Sequence, residues 1–424
     1  MGFPIDALRM RNATAPPVPF GLADFALVSR GTAAFSSTSG DPVAWTTEVY
    51  DDSGMVDLGS SASRITIQHS GLYRVMAGIP CAAAQVFRIS KNGANFDGFA
   101  SGMSSSIARD WVALTTGIIS ASAGDYFQLH KDDTDTTAPG DGAWFGIEKL
   151  DAATKYCLVK KTATQSIAAN TTTALTWNNA GEVADVGGWF DSATSTTQFT
   201  VPSGVTRVRI TASIELPSSS AAPVFWITNG TGSTLRGLPV QGENFTGAKY
   251  LQVASAVMSV AAGDKFRVQM QSSATTIPIS SQVWLCIEEV PDYARMLLYR
   301  STSQVVGAAA KFVFDTALYD TASAFNPTNG TIVVPSGYTK MRTAFSIAGS
   351  TSKDIAGFVC KSSPGTVVPG NPIESSNVFQ GWVSSIGEWI TVAAGEEYQL
   401  TAVSANSSTV AAGNNTWLCA EFRP

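Results

Sequence analysis

Short runs in which apolar and polar residues alternate dominate this chain, the period-two pattern of strands that bury one face. One such unit is written three times. Ile65-Thr-Ile-Gln-His-Ser-Gly71-Leu-Tyr-Arg74-Val-Met is followed by Phe199-Thr-Val-Pro-Ser-Gly204-Val-Thr-Arg207-Val-Arg-Ile and by Ile332-Val-Val-Pro-Ser-Gly337-Tyr-Thr-Lys340-Met-Arg. Each is a short strand, a tight turn ending in Ser-Gly, and a second strand with a basic residue three places past the glycine. Gly71, Gly204 and Gly337 are 133 and again 133 residues apart. That period is the length of a domain, far beyond a solenoid repeat. The pattern predicts three tandem copies of one fold.

Further landmarks recur in the same order. Strands open the copies at Phe25-Ala-Leu-Val, Cys157-Leu-Val-Lys and Leu297-Leu-Tyr-Arg300. An aromatic-Asp pair follows at Tyr50-Asp51, Phe190-Asp191 and Tyr319-Asp320. The first two copies have β-runs ending in Asn92-Gly93 and Asn229-Gly230, a strong hairpin signal because both residues tolerate positive φ. Turn glycines followed by an acid come next: Gly124-Asp125, Gly263-Asp264 and Gly395-Glu396. Each copy closes on a tryptophan strand: Trp144-Phe-Gly-Ile147, Trp284-Leu-Cys-Ile287 or Trp417-Leu-Cys-Ala420. Alternation places Val75, Val208 and Met341 inward with these tryptophans.

About 130 residues per copy, many short strands and no helical periodicity predict an all-β fold. The expected architecture is three tandem antiparallel β-sandwich, jelly-roll-like domains at 25–152, 153–292 and 293–424. Short connectors at 151–156 and 291–295 should hold neighbours close. Residues 1–24 carry Pro4, Pro16, Pro17 and Pro19 and no alternation, which predicts an extended arm. Its apolar residues Phe3, Ile5, Leu8, Met10 and Phe20 are candidates for anchoring to a partner; a frayed terminus is the alternative.

The ordered set resembles the C1q/TNF-like jelly roll: Gly71-Leu-Tyr73 before a core strand, Lys91-Asn92-Gly93, Ala123-Gly124-Asp125 and a terminal-strand Trp144. Copies two and three have Thr206 and Thr339 where that family has tyrosine. The resemblance implies trimerisation through flat sheet faces, as a homotrimer or as an intrachain pseudo-trimer, and binding rather than catalysis. Similar domains occur in bacteriophage virions. The implied role is a virion component, such as a head decoration, fibre or spike protein, partnered with capsid or tail proteins. It would be assembled in the bacterial host cytoplasm. The alternative is a tail fibre or tip protein that binds host glycans through Phe96, Trp111, Phe245, Tyr250, Phe379 or Trp382.

Composition narrows the chemistry. Charged residues are 14% and net charge is −6, with ten basic against fifteen acidic residues in 1–150. No basic stripe is present to neutralise phosphates, so no nucleic-acid partner is expected. No long apolar run is present for membrane insertion, and no secretory leader is expected. The five cysteines are sparse, and Cys286 and Cys419 occupy equivalent places, as small buried hydrophobes would. No cofactor motif occurs. His69 reads as a solvated turn residue and His130 as a rim residue, and no catalytic constellation is visible. Carboxylates crowd one loop, at Asp132, Asp133, Asp135 and Asp141, as candidate calcium ligands or a solvated acidic loop. The repeated acids beside turns, and Gly71, Gly204, Gly337, Gly124, Gly263 and Gly395 with them, read as turn-formers.

Overall fold

The structure is a computed structural model. It describes residues 24–424 except 31–39, 82–84, 104–109, 133–142, 218–222, 236, 243–248, 274, 307–309, 350–354, 363–367, 377–381, 404–407 and 411–414. Among these residues the fold is all-β, with one helical turn at Asn179–Gly181. No helix in them is long and apolar enough to cross a membrane.

The sheets recur in three sets with one strand order. In the first, Thr47–Asp51, Phe25–Arg30, Ala143–Leu150, Gly71–Cys81 and Asp110–Thr115 lie side by side, and Ile119–Ala121 also pairs with Gly71–Cys81. A second sheet of Ile65–Thr66, Tyr126–Lys131, Val86–Lys91 and Ser101–Met103 faces it. The first and last long strands are neighbours, and the chain crosses repeatedly from one sheet to the other. This is jelly-roll connectivity. The six-stranded order repeats in the second set from Glu182–Val186 to Lys249–Ala254, and in the third from Thr316–Asp320 to Trp382–Ile386. We call the three sets units 1, 2 and 3.

Each unit has its own core between its two sheets. Tyr73, Val75, Ala77 and Ile79 fill unit 1, Val208, Ile210, Ala212 and Ile214 unit 2, and Met341, Phe345 and Ile347 unit 3. The closing tryptophans point the other way. Trp144, Trp284 and Trp417 lie on the opposite face of the six-stranded sheets, in apolar clusters between units. These sheets are therefore buried on both faces, which is why Ala143–Ile147 is almost continuously apolar rather than alternating.

Ladder register corrects two correspondences expected from sequence. Arg74 pairs with Glu148, Arg209 with Glu288 and Arg342 with Glu421. The equivalent basic residues are thus Arg74, Arg209 and Arg342, not Arg74, Arg207 and Lys340. The offset arises at the glycine: Gly204 and Gly337 sit in turns at φ 81° and 89°, whereas Gly71 already lies in a strand opposite Ala121. Gly124, Gly263 and Gly395 have φ of 91°, 88° and 82°. Likewise, Leu27, Leu158 and Leu297 pair with Tyr50, Ala184 and Tyr319. The partner of Asp51 and Asp320 in unit 2 is therefore Asp185, not Asp191. All three edge strands carry a bulge just after that pair, leaving Val49, Val183 and Leu318 unpaired and about half exposed. Bulges of this kind blunt a sheet edge against further strand pairing.

The repeated acids are turn caps. Asp51 accepts from the backbone N–H groups of Ser53, Met55 and Val56. Asp185 does the same for Gly188, Trp189 and Phe190, and Asp320 for Ala322, Ala324 and Phe325. Asp125, Asp264 and Glu396 cap Ser122, Ala261 and Ala393. A carboxylate holding three backbone donors fixes where the edge strand ends. Asp320→Ala is expected to lower stability by about 1.5–3 kcal/mol, the range for hydrogen bonds to a charged group. Urea unfolding measures it, and an unchanged midpoint would remove the cap from the list of fold determinants.

Candidate functional site

The three units close a ring about a common axis, and six buried charges stand on that axis. Glu148 Oε1 accepts from Arg74 Nη1 and Arg342 Nη1, each at 2.6 Å. Glu288 pairs with Arg74 and, at 3.2 Å, with Arg209 Nη1. Glu421 pairs with Arg209 and, at 3.2 Å, with Arg342 Nη2. Every arginine thus joins a glutamate of its own unit to a glutamate of another, and the chain of pairs returns to its start. None of the six is more than 4% exposed.

At Arg74, Glu148, Arg342 and Glu421 burial opposes the charged form, and the neighbours overrule it. Burial would raise the Glu148 carboxyl, but Arg342 and Arg74 hold it well below the usual carboxylate range. Glu421 is lowered against the same opposition by Arg209 and Arg342. Burial would lower Arg74, yet Glu288 and Glu148 raise it. The ring is three arginines and three glutamates, each within salt-bridge distance of two partners.

Around it, each unit grips another in one direction. Leu158 of unit 2 packs on Gly98 of unit 1, Leu297 of unit 3 on Gly237 of unit 2, and Leu27 of unit 1 on Gly370 of unit 3. The three glycines have φ of 83°, 90° and 95°. A Cβ there would stand 3.0, 3.4 and 3.1 Å from the leucine methyl groups, so backbone and space both demand glycine. The next residue's carbonyl accepts a tryptophan N–H: Trp284 to Phe99 at 2.8 Å, Trp417 to Leu238 and Trp144 to Asn371 at 3.1 Å. This clasp is the same at all three interfaces.

The seam between units 3 and 1 differs in one loop. Where units 1 and 2 have Gly117-Ile118 and Ala256-Val257, unit 3 has Glu388-Trp389. Gly146, standing where the other units have Cys286 and Cys419, leaves room, since a Cβ there would meet Glu388 Cγ at 2.8 Å. Trp389 Nε1 donates to Glu148 Oε2 at 2.8 Å, and its carbonyl accepts from the Tyr50 hydroxyl. Arg423 lies over the rings of Trp389, Tyr293 and Phe25, at 4.1, 4.2 and 5.0 Å. Glu388 Oε1 accepts from the Trp389 N–H, while Oε2 is buried without a partner. Burial, then the charge of Glu148, push its carboxyl up to about 8.

The residues singled out from sequence lie elsewhere. Asp132 forms a forked pair with Arg88, at 2.7 and 3.0 Å; Asp133, Asp135 and Asp141 fall outside the described residues, as do Phe3, Ile5, Leu8, Met10 and Phe20. No metal-binding group of His, Cys, Asp or Glu occurs among the described residues. His69 is an exposed partner of Asp24 at 3.0 Å. His130 is not on a rim: it is 7% exposed, between Ser90 Oγ at 2.8 Å and the Gly40 carbonyl at 2.9 Å. Phe96 packs against the unit 1 core and Tyr250 is half-buried. The side chains of Trp111, Phe245, Phe379 and Trp382 fall outside the described residues. The ring was the site missed. Its signal was present as Trp-x-x-x-Glu in all three closing strands, at Trp144/Glu148, Trp284/Glu288 and Trp417/Glu421.

Comparison with known proteins gives likenesses in fold to solved structures. The globular domain of zebrafish complement 1qA is 12% identical, with 31% of this chain and 97% of that one covered and a TM-score of 0.25. Murine APRIL at pH 5.0 is 9% identical, with 32% and 99% covered and a TM-score of 0.25. Eiger TNF from S. frugiperda is 14% identical, with 30% and 93% covered and a TM-score of 0.24. No family model and no curated protein matches the chain.

Two outcomes follow from the ring and its seam. Arg209→Met leaves Glu288 and Glu421 each short of one buried partner and is expected to cost about 3–5 kcal/mol. Arg209→Lys should not restore it, because a single ammonium cannot bridge two carboxylates as a planar fork does. A loss below about 1 kcal/mol in urea unfolding, the scale of exposed pairs, would show that water reaches the ring. Glu388 has a folded pKa raised from 4.5 to about 8. The stability that its protonated form contributes is complete below 4.5 and lost as pH rises to about 8. Glu388→Gln should therefore gain thermal stability over the parent progressively across that window and keep a constant lead above it. Parallel melting curves at every pH would refute this.

Proposed function

We propose that this chain is a non-enzymatic structural protein, a trimer of jelly-roll units made from a single polypeptide, and that it serves as a bacteriophage virion component. The observation that carries the reading is the closed ring. The faces through which such domains would associate with other chains are already spent on one another inside this one. What remains for partners is the outer surface of three similar but non-identical units, a form suited to decorating or capping a larger particle. The tandem copies, the Ser, Thr, Gly and Ala at surface positions and the sequence resemblance support the virion setting. Within it, head decoration, fibre and spike roles share the same physical basis, with capsid or tail proteins as partners.

Light scattering with size-exclusion chromatography should return the mass of one chain, because the six ring groups all find their partners within it. Electron microscopy of native particles should then show a three-lobed density at discrete positions. A homotrimer in solution would overturn the single-chain closure, and absence from purified particles would overturn the virion role.

A further inference from the structure

Beside the ring, at the two short connectors between units, lies a cavity of about 280 Å3. Arg74, Arg209, Arg342 and Arg423 line it on the axial side. Leu150, Val290 and Pro291 give it an apolar wall. Its mouth is marked by the exposed Asp151 and the half-buried Glu289.

The charges of the ring pair off, and one guanidinium beside them does not. Arg74, Arg209 and Arg342 are matched one for one by Glu148, Glu288 and Glu421. Arg423 is a fourth guanidinium, and among the described residues it has no ion pair. It donates to the Tyr293 hydroxyl and rests on three aromatic faces. A cation over aromatic rings is stabilised only in part. The fourth buried carboxyl, Glu388, is turned to the Trp389 N–H and to Gly146 rather than to Arg423, and burial and Glu148 push it up to about 8. The Nε–H groups of Arg74, Arg209 and Arg423 are buried and meet no acceptor among the described residues. Buried donors beside a guanidinium without an ion pair call for an anionic acceptor.

We propose that the axial cavity is a binding site for a small organic monocarboxylate, its carboxylate set against the guanidinium of Arg423 and the adjoining ring arginines, its apolar body against Leu150 and Pro291. A single guanidinium without an ion pair favours a monoanion, and the carboxylates of Asp151 and Glu289 at the mouth disfavour a dianion. The apolar wall favours a carboxylate with a hydrocarbon body over an inorganic ion. The site is a property of the closed ring and does not depend on where the protein is assembled.

The test titrates the full chain with sodium benzoate, acetate and sulfate at constant ionic strength, by calorimetry and by tryptophan fluorescence, since Trp389 stacks on Arg423. Benzoate should bind one to one and saturably, more tightly than acetate, with sulfate weakest. Arg423→Gln, which leaves all six ring charges in place, should weaken benzoate at least ~tenfold, and Arg423→Lys should recover part of the loss. Where Arg423→Gln fails to fold, Leu150→Asp at the apolar wall is the second variant, expected to weaken benzoate while the parent fold is retained. Absence of saturable benzoate binding, equal binding of sulfate, or affinity unchanged in the folded variants would each overturn the proposal.

Discussion

Matching of buried charge on the axis is the constraint on which this architecture depends. Removing an ion pair from water costs several kcal/mol per ion, so a ring of six buried charges is tolerated only when every member is opposed. Within a unit, ladder register does this by setting Arg74, Arg209 and Arg342 beside Glu148, Glu288 and Glu421. Between units, relative rotation does it, because each arginine must also reach a glutamate of another unit. Net stabilisation from such a ring is modest; its value lies in selection. A unit turned or slid out of place would leave guanidiniums and carboxylates alone in an apolar interior, whereas slippage of apolar faces alone would be cheap.

The clasps complement the ring through shape. Leucine methyls need a surface without side chains to settle on, and Gly98, Gly237 and Gly370 provide it. The tryptophans deliver both apolar area and a directed hydrogen bond, so a large aromatic group can be buried without leaving its N–H unsatisfied. Because the six-stranded sheets are covered on both faces, their strands lose the alternation that marks a half-buried strand.

That loss explains what the sequence does and does not reveal. Strands, turn glycines and capping acids were legible because they are local: Asp51 and Asp320 act on backbone groups two to five residues away. The axial ring was not, because its partners lie 74 to 214 positions apart. Aligning copies by their Ser-Gly turns also shifted unit 1 by two residues, since Gly71 has entered the strand where Gly204 and Gly337 are still turning. Counted from the glycines, the basic residues fall on Arg207 and Lys340, whereas the ladders set Arg209 and Arg342 opposite the glutamates. The tryptophans were legible as large apolar residues, but not the face they occupy, because a strand apolar on both sides offers no polar side for reference. Asp191 mimics Asp185 in the sequence pattern because Phe190 supplies an aromatic beside it, while the true counterpart of Tyr50 is the small Ala184.

Encoding three lobes in one message frees them from being replicas. In an assembly of identical subunits, any bulky group reaching the centre arrives in triplicate and must share the space with its own duplicates. Here the centre receives a single indole, Trp389, and a single extra acid, Glu388, with Gly146 left bare to admit them. Fusion thus lets the hub be lopsided while the rim keeps its near-regular geometry, and gives the three outward surfaces independent histories.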